Sequence, residues 1–273
     1  MTASRSPEVG TFVHFEHVNY RVPEHRLAHL YFCAGLGFTR DPTRMVGIDN
    51  MWVNAGRNQF HLPIGPASPF RGEVGVIVPD VGEVERRFAA DRPRYEGSLF
   101  SCTREGGTLR TTTPWGHPVR VHPAGMLQNR FPQGIGYVEF WVAPGTAPGI
   151  AAFYRDVIGC PSEVEPVEGA PTAHVVAGPG TTFRFVERPD GGAVPHQNHV
   201  AVYLSNYHAT YEKLSRLGCI MEPDADEQFR FHHIKHPKTG ELLYSFEHEM
   251  RSLHHPDFGK PLVNRIEMPW RID

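Results

Sequence analysis

The chain has 273 residues, 40% hydrophobic and 21% charged, enough for a large core in one or two domains. Its formal charge of −3, with no aromatic-basic stripe, gives no footprint for nucleic acid, and its longest apolar runs are strand-length, too short for a membrane span. The opening Met1-Thr2-Ala3-Ser4-Arg5-Ser6-Pro7 lacks the apolar stretch of a signal peptide, and Cys33, Cys102, Cys160 and Cys219 show neither metal nor disulfide spacing, so a cytoplasmic protein with reduced thiols is expected.

A first strand over 13–22 precedes a helix around 24–35, where Leu27, Leu30, Tyr31 and Ala34 fall at helical spacing and Gly35-Leu36-Gly37-Phe38 stops it. Met51-Trp52-Val53-Asn54, a Gly56-Arg57-Asn58 turn and Gln59-Phe60-His61-Leu62 make a hairpin. Next come a strand at 73–78, a helix near 81–90 and a strand after Thr113-Pro114-Trp115-Gly116. A strand at 136–142 leads to a helix over 148–158 and a hairpin turning at Gly178-Pro179-Gly180. A strand at 198–204, a helix over 208–217 ending at Gly218, and a strand after His236-Pro237-Lys238-Thr239-Gly240 complete the pattern. Loops 63–72 and 123–134 are rich in Pro and Gly, and the second is the expected boundary between halves. The tail 250–273, with Pro256, Pro261, Pro269, Phe258 and Trp270, has no periodicity and reads as an extended arm over the barrels.

These elements repeat. His17, Glu73, Tyr137 and His199 each stand five positions before the closing aliphatic of an opening strand, at intervals of 56, 64 and 62 residues. Each βαβββ unit leaves one sheet face uncovered, so units must pair. Four units give an α+β fold of two cupped, open barrels, grouped by chain order as 12–125 and 134–249, with 250–273 as the arm.

The four opening strands, the Gly-Leu-Gly-Phe helix exit and the turns at 113–116 and 236–240 make residues 12–249 resemble the vicinal oxygen chelate superfamily. That superfamily includes glyoxalase I, extradiol dioxygenases, methylmalonyl-CoA epimerase and the fosfomycin- and bleomycin-resistance proteins. The resemblance implies a divalent metal (Fe, Mn, Zn or Co) held by first and last strands of two partnered units. First-strand positions are His17, Glu73, Tyr137 and His199; counting past each turn glycine gives His61, Arg120, Arg184 and Tyr244 for the last strands. If unit one partners unit two, the cup offers His17, His61 and Glu73, two histidines and a carboxylate. If unit one partners unit four, it offers His17, His61, His199 and Tyr244. The dioxygenase pattern is not met in full, since Tyr137 and Tyr244 stand where a histidine and a glutamate would be.

Tyr244, Glu247 and His122 are the candidates for proton transfer. On strict alternation from Tyr244, Glu247 faces away from the cup. The expected function is a metal-dependent enzyme on a small oxygenated metabolite, extradiol-dioxygenase-like or an isomerase or lyase. The alternative is a metal-free protein sequestering a planar or aromatic small molecule, with Trp52, Trp115, Trp141, Phe60 and Tyr203 as stacking candidates. A small-molecule substrate, no nucleic-acid or membrane partner, and the homodimer common in the superfamily complete the expectations.

Overall fold

All four units are present in the computed structural model, which describes residues 10–44, 49–127 and 131–265. The opening heptapeptide, part of loop 123–134, and Pro269 and Trp270 of the tail lie outside the described residues. Unit one comprises β1 (Phe12–Asn19), β2 (Thr39–Arg40), β3 (Asn50–Ala55) and β4 (Asn58–Pro63). Unit two comprises β5 (Gly72–Val78), β6 (Ser101–Glu105), β7 (Thr108–Thr112) and β8 (Pro118–Pro123). Unit three comprises β9 (Gly134–Val142), β10 (Ser162–Val164), β11 (Thr172–Gly178) and β12 (Thr181–Glu187). Unit four comprises β13 (His199–Leu204), β14 (Ile220–Ala225), β15 (Gln228–Lys235) and β16 (Leu242–Ser252).

One helix follows each opening strand. The first, α1 (His25–Ala28), widens into a π-helical segment over His29–Gly35; α2 spans Val81–Ala90. The third, α3 (Ala147–Ala152), also widens, over Phe153–Ile158, and α4 spans Tyr207–Arg216. Glu24 and Asp80 cap α1 and α2, accepting from the N–H groups of Leu27 at 3.1 Å and Glu83 at 3.0 Å, which would otherwise lack partners.

The strands form two eight-stranded sheets, ordered β14-β15-β16-β13-β1-β4-β3-β2 and β10-β11-β12-β9-β5-β8-β7-β6. The grouping by chain order is therefore corrected: unit one shares a sheet with unit four, and unit two with unit three. The seams are the antiparallel pairs β1–β13 and β5–β9. A seam joins the free edges of two opening strands, and the local pattern of a strand does not say which distant edge it will meet.

One face of each sheet packs with the helices into a continuous apolar core. Phe15 meets Phe183 at 5.6 Å and Phe140 meets Phe246 at 4.6 Å, so strands of both sheets interlock there. Each such buried aromatic contributes about 1.5–3 kcal/mol. The opposite face of each sheet is the cup face, and it carries the polar side chains. Residues 253–265 run along the cup of the first sheet: Asn54 Nδ2 donates to the Val263 carbonyl at 2.8 Å, and Asn264 accepts from Gly56 N and donates to Gly56 O. Gly56 has φ +66°, and a Cβ there would stand 2.0 Å from the Gln133 carbonyl oxygen, so only glycine fits the turn.

Candidate metal centre

Strand register brings four distant side chains to one point. In the parallel β1–β4 pair His17 lies opposite Gln59, so His61, two residues on, shares its face. In the parallel β13–β16 pair His199 lies opposite Glu247, and Glu249 is again two residues on. Across the seam His17 lies opposite Ala201, two residues from His199. The two halves of the cup are thus built to the same offset, His17 with His61 and His199 with Glu249.

The histidine side chains converge so that one ring nitrogen of each lies within 4.8 Å of the others. His17 Nε2 stands 3.1 Å from His199 Nε2, and His199 Nε2 stands 3.5 Å from Glu249 Oε2. His17 is wholly buried. Its Nδ1 donates to Glu16 Oε2 at 3.2 Å, and that carboxylate, which also binds Arg251, is held well below the ordinary range by His17 and Arg251 despite the opposing effect of burial. An ionised carboxylate only accepts, so the proton sits on Nδ1 and Nε2 presents its lone pair. His199 Nδ1 faces Glu247 at 3.6 Å, and Glu247 is tied to Arg230.

Burial lowers the pKa of all three histidines, that of His61 to about 2, so each ring is neutral at physiological pH. Glu249 is lowered below its usual range, burial being outweighed by Arg251, His17 and Arg230, whereas burial raises Glu247. Trp52 stacks on His61 at 4.0 Å, and the Arg44 guanidinium lies over the Trp52 ring at 4.0 Å.

These donors fit a divalent ion. Neutral imidazole and carboxylate are the ligands such an ion takes, at about 2.0–2.2 Å. Two nitrogens at that distance and at right angles stand about 3.0 Å apart, close to the His17–His199 separation. His61 is less free: its Nδ1 meets Asn19 Nδ2 at 3.0 Å and its Nε2 meets Asn50 Oδ1 at 2.9 Å, so it joins an ion only by releasing one amide.

The other expected site residues are placed as follows. Glu73 lies on the second sheet, so the cup of His17, His61 and Glu73 does not form. Tyr244 is on the core face of β16, buried against Phe140 and Phe185 at 6.1 Å each, and Glu247 is on the cup face, the reverse of the expected alternation. Counting from Gly240 failed because β16 runs eleven residues from Leu242, which sets its cup position farther from the turn than in the other units. Glu249 and Glu16 were missed as site residues. The usable signal for Glu249 was its place in the run Phe246-Glu247-His248-Glu249; for Glu16 there was none, because β1 has a register shift between Phe15 and His17.

The second cup holds the four matching positions, Glu73, Arg120, Tyr137 and Arg184, in a closed network. Glu73 Oε1 accepts from Tyr137 Oη at 2.6 Å and from Arg120 Nε at 3.2 Å, and Arg184 lies 3.8 Å over the Tyr137 ring. His122 belongs here, its Nε2 3.2 Å from Tyr137 Oη. Gly75 makes the room, since a Cβ there would stand 2.0 Å from the Tyr137 ring. Two guanidinium groups stand where ligands would be needed.

Solved structures with a similar fold include glyoxalase I from Zea mays, at TM-score 0.64 and 13% identity over 87% of this chain and 92% of that one. A glutamate-to-glutamine variant of the same enzyme matches at TM-score 0.64 and 14% identity, over 89% of this chain and 94% of that one. A candidate dioxygenase from Bacillus subtilis subsp. subtilis str. 168 matches at TM-score 0.56 and 12% identity, over 93% of this chain and 92% of that one. The chain has the vicinal oxygen chelate fold. No family model matches the sequence, and no curated protein matches it. At these identities the likeness is one of fold, and among the described residues the first sheet's cup carries a histidine set that could hold an ion. Among the described residues, no helix is long and apolar enough to cross a membrane.

Proposed function

We propose that this chain is a metal-dependent enzyme acting on a small oxygenated metabolite, with a divalent ion held by His17, His61, His199 and Glu249. The observation that carries the reading is the matched register of the two pairs, which aligns neutral imidazoles and one carboxylate at the spacing of ligands around one ion. Bound there, the ion supplies Lewis acidity to two vicinal substrate oxygens or, if it is iron, a route to O₂ chemistry.

The chain's own residues do the rest. Glu16 fixes the tautomer and ring plane of His17, as a carboxylate behind a ligating imidazole does. Arg251 holds Glu16 and Glu249 together, its Nη2 2.6 Å from Glu249 Oε1. Glu247 is the carboxylate suited to hold a proton, because burial raises its pKa and it faces His199. Trp52 and His61 give the cup a flat aromatic wall. Tyr244 and His122 are outside this cup and take no part in the proton transfers.

The test is elemental analysis of protein prepared anaerobically without chelators or a histidine tag. Near-stoichiometric iron, manganese, zinc or cobalt, lost in His17→Ala and His199→Ala, supports the reading; iron then directs the search to oxygen uptake, the other ions to isomerase or lyase chemistry. Protein that neither retains nor regains any of these ions would sink it. A metal-free binding protein is the second reading, favoured by the two amides that engage both nitrogens of His61.

A further inference from the structure

A cavity of about 450 Å³ lies between β1, the β3–β4 turn and the C-terminal arm. None of His17, His61, His199 or Glu249 lines it. Two of its residues, Glu16 and Gln59, are 4% and 0% exposed, and each carries a buried oxygen, Oε1, that makes no hydrogen bond. Both residues line the cavity, Gln59 on β4 and Glu16 on the neighbouring β1, one residue before Gln59's register partner His17. Buried acceptors are rarely left unpaired, because each has given up its water for nothing. Glu16 Oε1 has ion-pair partners beyond hydrogen-bond distance, Lys260 Nζ at 3.7 Å, itself without a hydrogen bond, and Arg44 Nη2 at 4.0 Å.

The walls are aromatic. His14 stacks on Tyr203 with ring centroids 6.1 Å apart, and Phe258 of the arm meets Tyr203 edge-on at 5.1 Å. Water would satisfy the two oxygens and the ammonium, but gains nothing from these rings. A flat ring with neighbouring donors on one edge answers both features, and the volume admits a bicyclic one.

We propose that this cavity is a ligand site for a planar ring bearing two adjacent N–H or O–H donors, seated on Glu16 and Gln59 against Tyr203 and Phe258. The site is distinct from the histidine cluster but touches it through one carboxylate, since Glu16 Oε2 holds His17 Nδ1. It does not depend on an ion, so it is tested on metal-free protein and stands or falls separately from the metal reading.

Calorimetric titration of the full-length, metal-free chain uses three bicyclic probes: 2-aminobenzimidazole and 2,3-dihydroxynaphthalene, which carry paired donors, and quinoxaline, which carries none. At least one donor-bearing probe should bind about tenfold or more tighter than quinoxaline, a difference of ~1.4 kcal/mol. Gln59→Leu and Phe258→Ala should each weaken it about tenfold. Phe258 is 37% exposed, so its replacement leaves the sheet intact should the buried Gln59 variant not fold. Equal affinity for the three probes, no binding up to about 1 mM, or full affinity in Phe258→Ala overturns the proposal.

Discussion

His17 and His199 present their Nε2 atoms to one another at 3.1 Å although 182 residues separate them in the chain. With the His17 proton fixed on Nδ1 by Glu16, one lone pair always points into this gap. Each ring is needed equally, so His17→Ala and His199→Ala should each lower affinity for a divalent ion by more than the roughly 10–100-fold typical of an outer-shell partner. Metal titration of the chelator-stripped protein checks this, and retained affinity in either variant removes that histidine from the centre.

Under the proposed function, Glu16 would act on an ion only through His17. Glu16→Gln keeps the shape of the side chain but can no longer hold the imidazole by charge, and Arg251 loses one of its two buried carboxylate partners. Ion affinity should fall about 10–100-fold. The same titration reads it, and an unchanged constant would show that the Glu16–His17 contact does not orient the ligand.

The register of β16 places Glu249 in the cup beside His199 and Tyr244 in the core. Glu249→Gln should weaken ion binding, whereas Tyr244→Phe should leave ion binding and activity unchanged, because the Tyr244 ring packs against Phe140 and Phe185 on the far face. Comparing metal content of the two variants is enough. The opposite pattern reverses the register argument.

In the second cup Glu73 is the hub of Tyr137 and Arg120, and its side chain is 12% exposed. Glu73→Gln should cost about 1–3 kcal/mol of stability by leaving buried partners poorly satisfied. Chemical denaturation measures that loss. Metal stoichiometry should stay at one ion per chain, since Arg120 and Arg184 remain; a second ion bound by the wild-type chain contradicts the assignment of this cup.

His117 stacks on Tyr20 at 4.2 Å, is 1% exposed, and burial lowers its pKa to about 3. Between that value and about 6.5 the unfolded chain binds a proton that the folded chain does not. The stability it carries is therefore complete above about 6.5 and is lost as the pH falls toward 3, with a limiting slope of ~1.4 kcal/mol per pH unit. His117→Phe keeps the stacking and removes the titration, so its denaturation free energy should decline less steeply from pH 6 to pH 4 than the parent's. Parallel pH profiles would show that His117 is not the source.

The sequence alone determined the elements and their kind. The short, β-branched apolar runs Val74–Val78 and Val200–Leu204 read as buried strands, and the glycine exits at Gly37 and Gly218 end the helices that follow their opening strands. Four such units in phase define the fold, and His17 and His199 fall at equivalent first-strand places in it, with His61 at a last-strand place, because repeated register is a local property. Tertiary structure decided what local pattern does not encode. The edge that β1 meets is chosen by the packing of whole sheets, and that choice set His199 rather than Glu73 beside His17. The length of β16 before its cup position exchanged Tyr244 for Glu249, since a strand alternates faces and a shift of one reverses every side chain. Glu16 comes beside His17 on the cup side through the irregular register between Phe15 and His17 in the β1–β13 pair, which no local pattern in the sequence encodes.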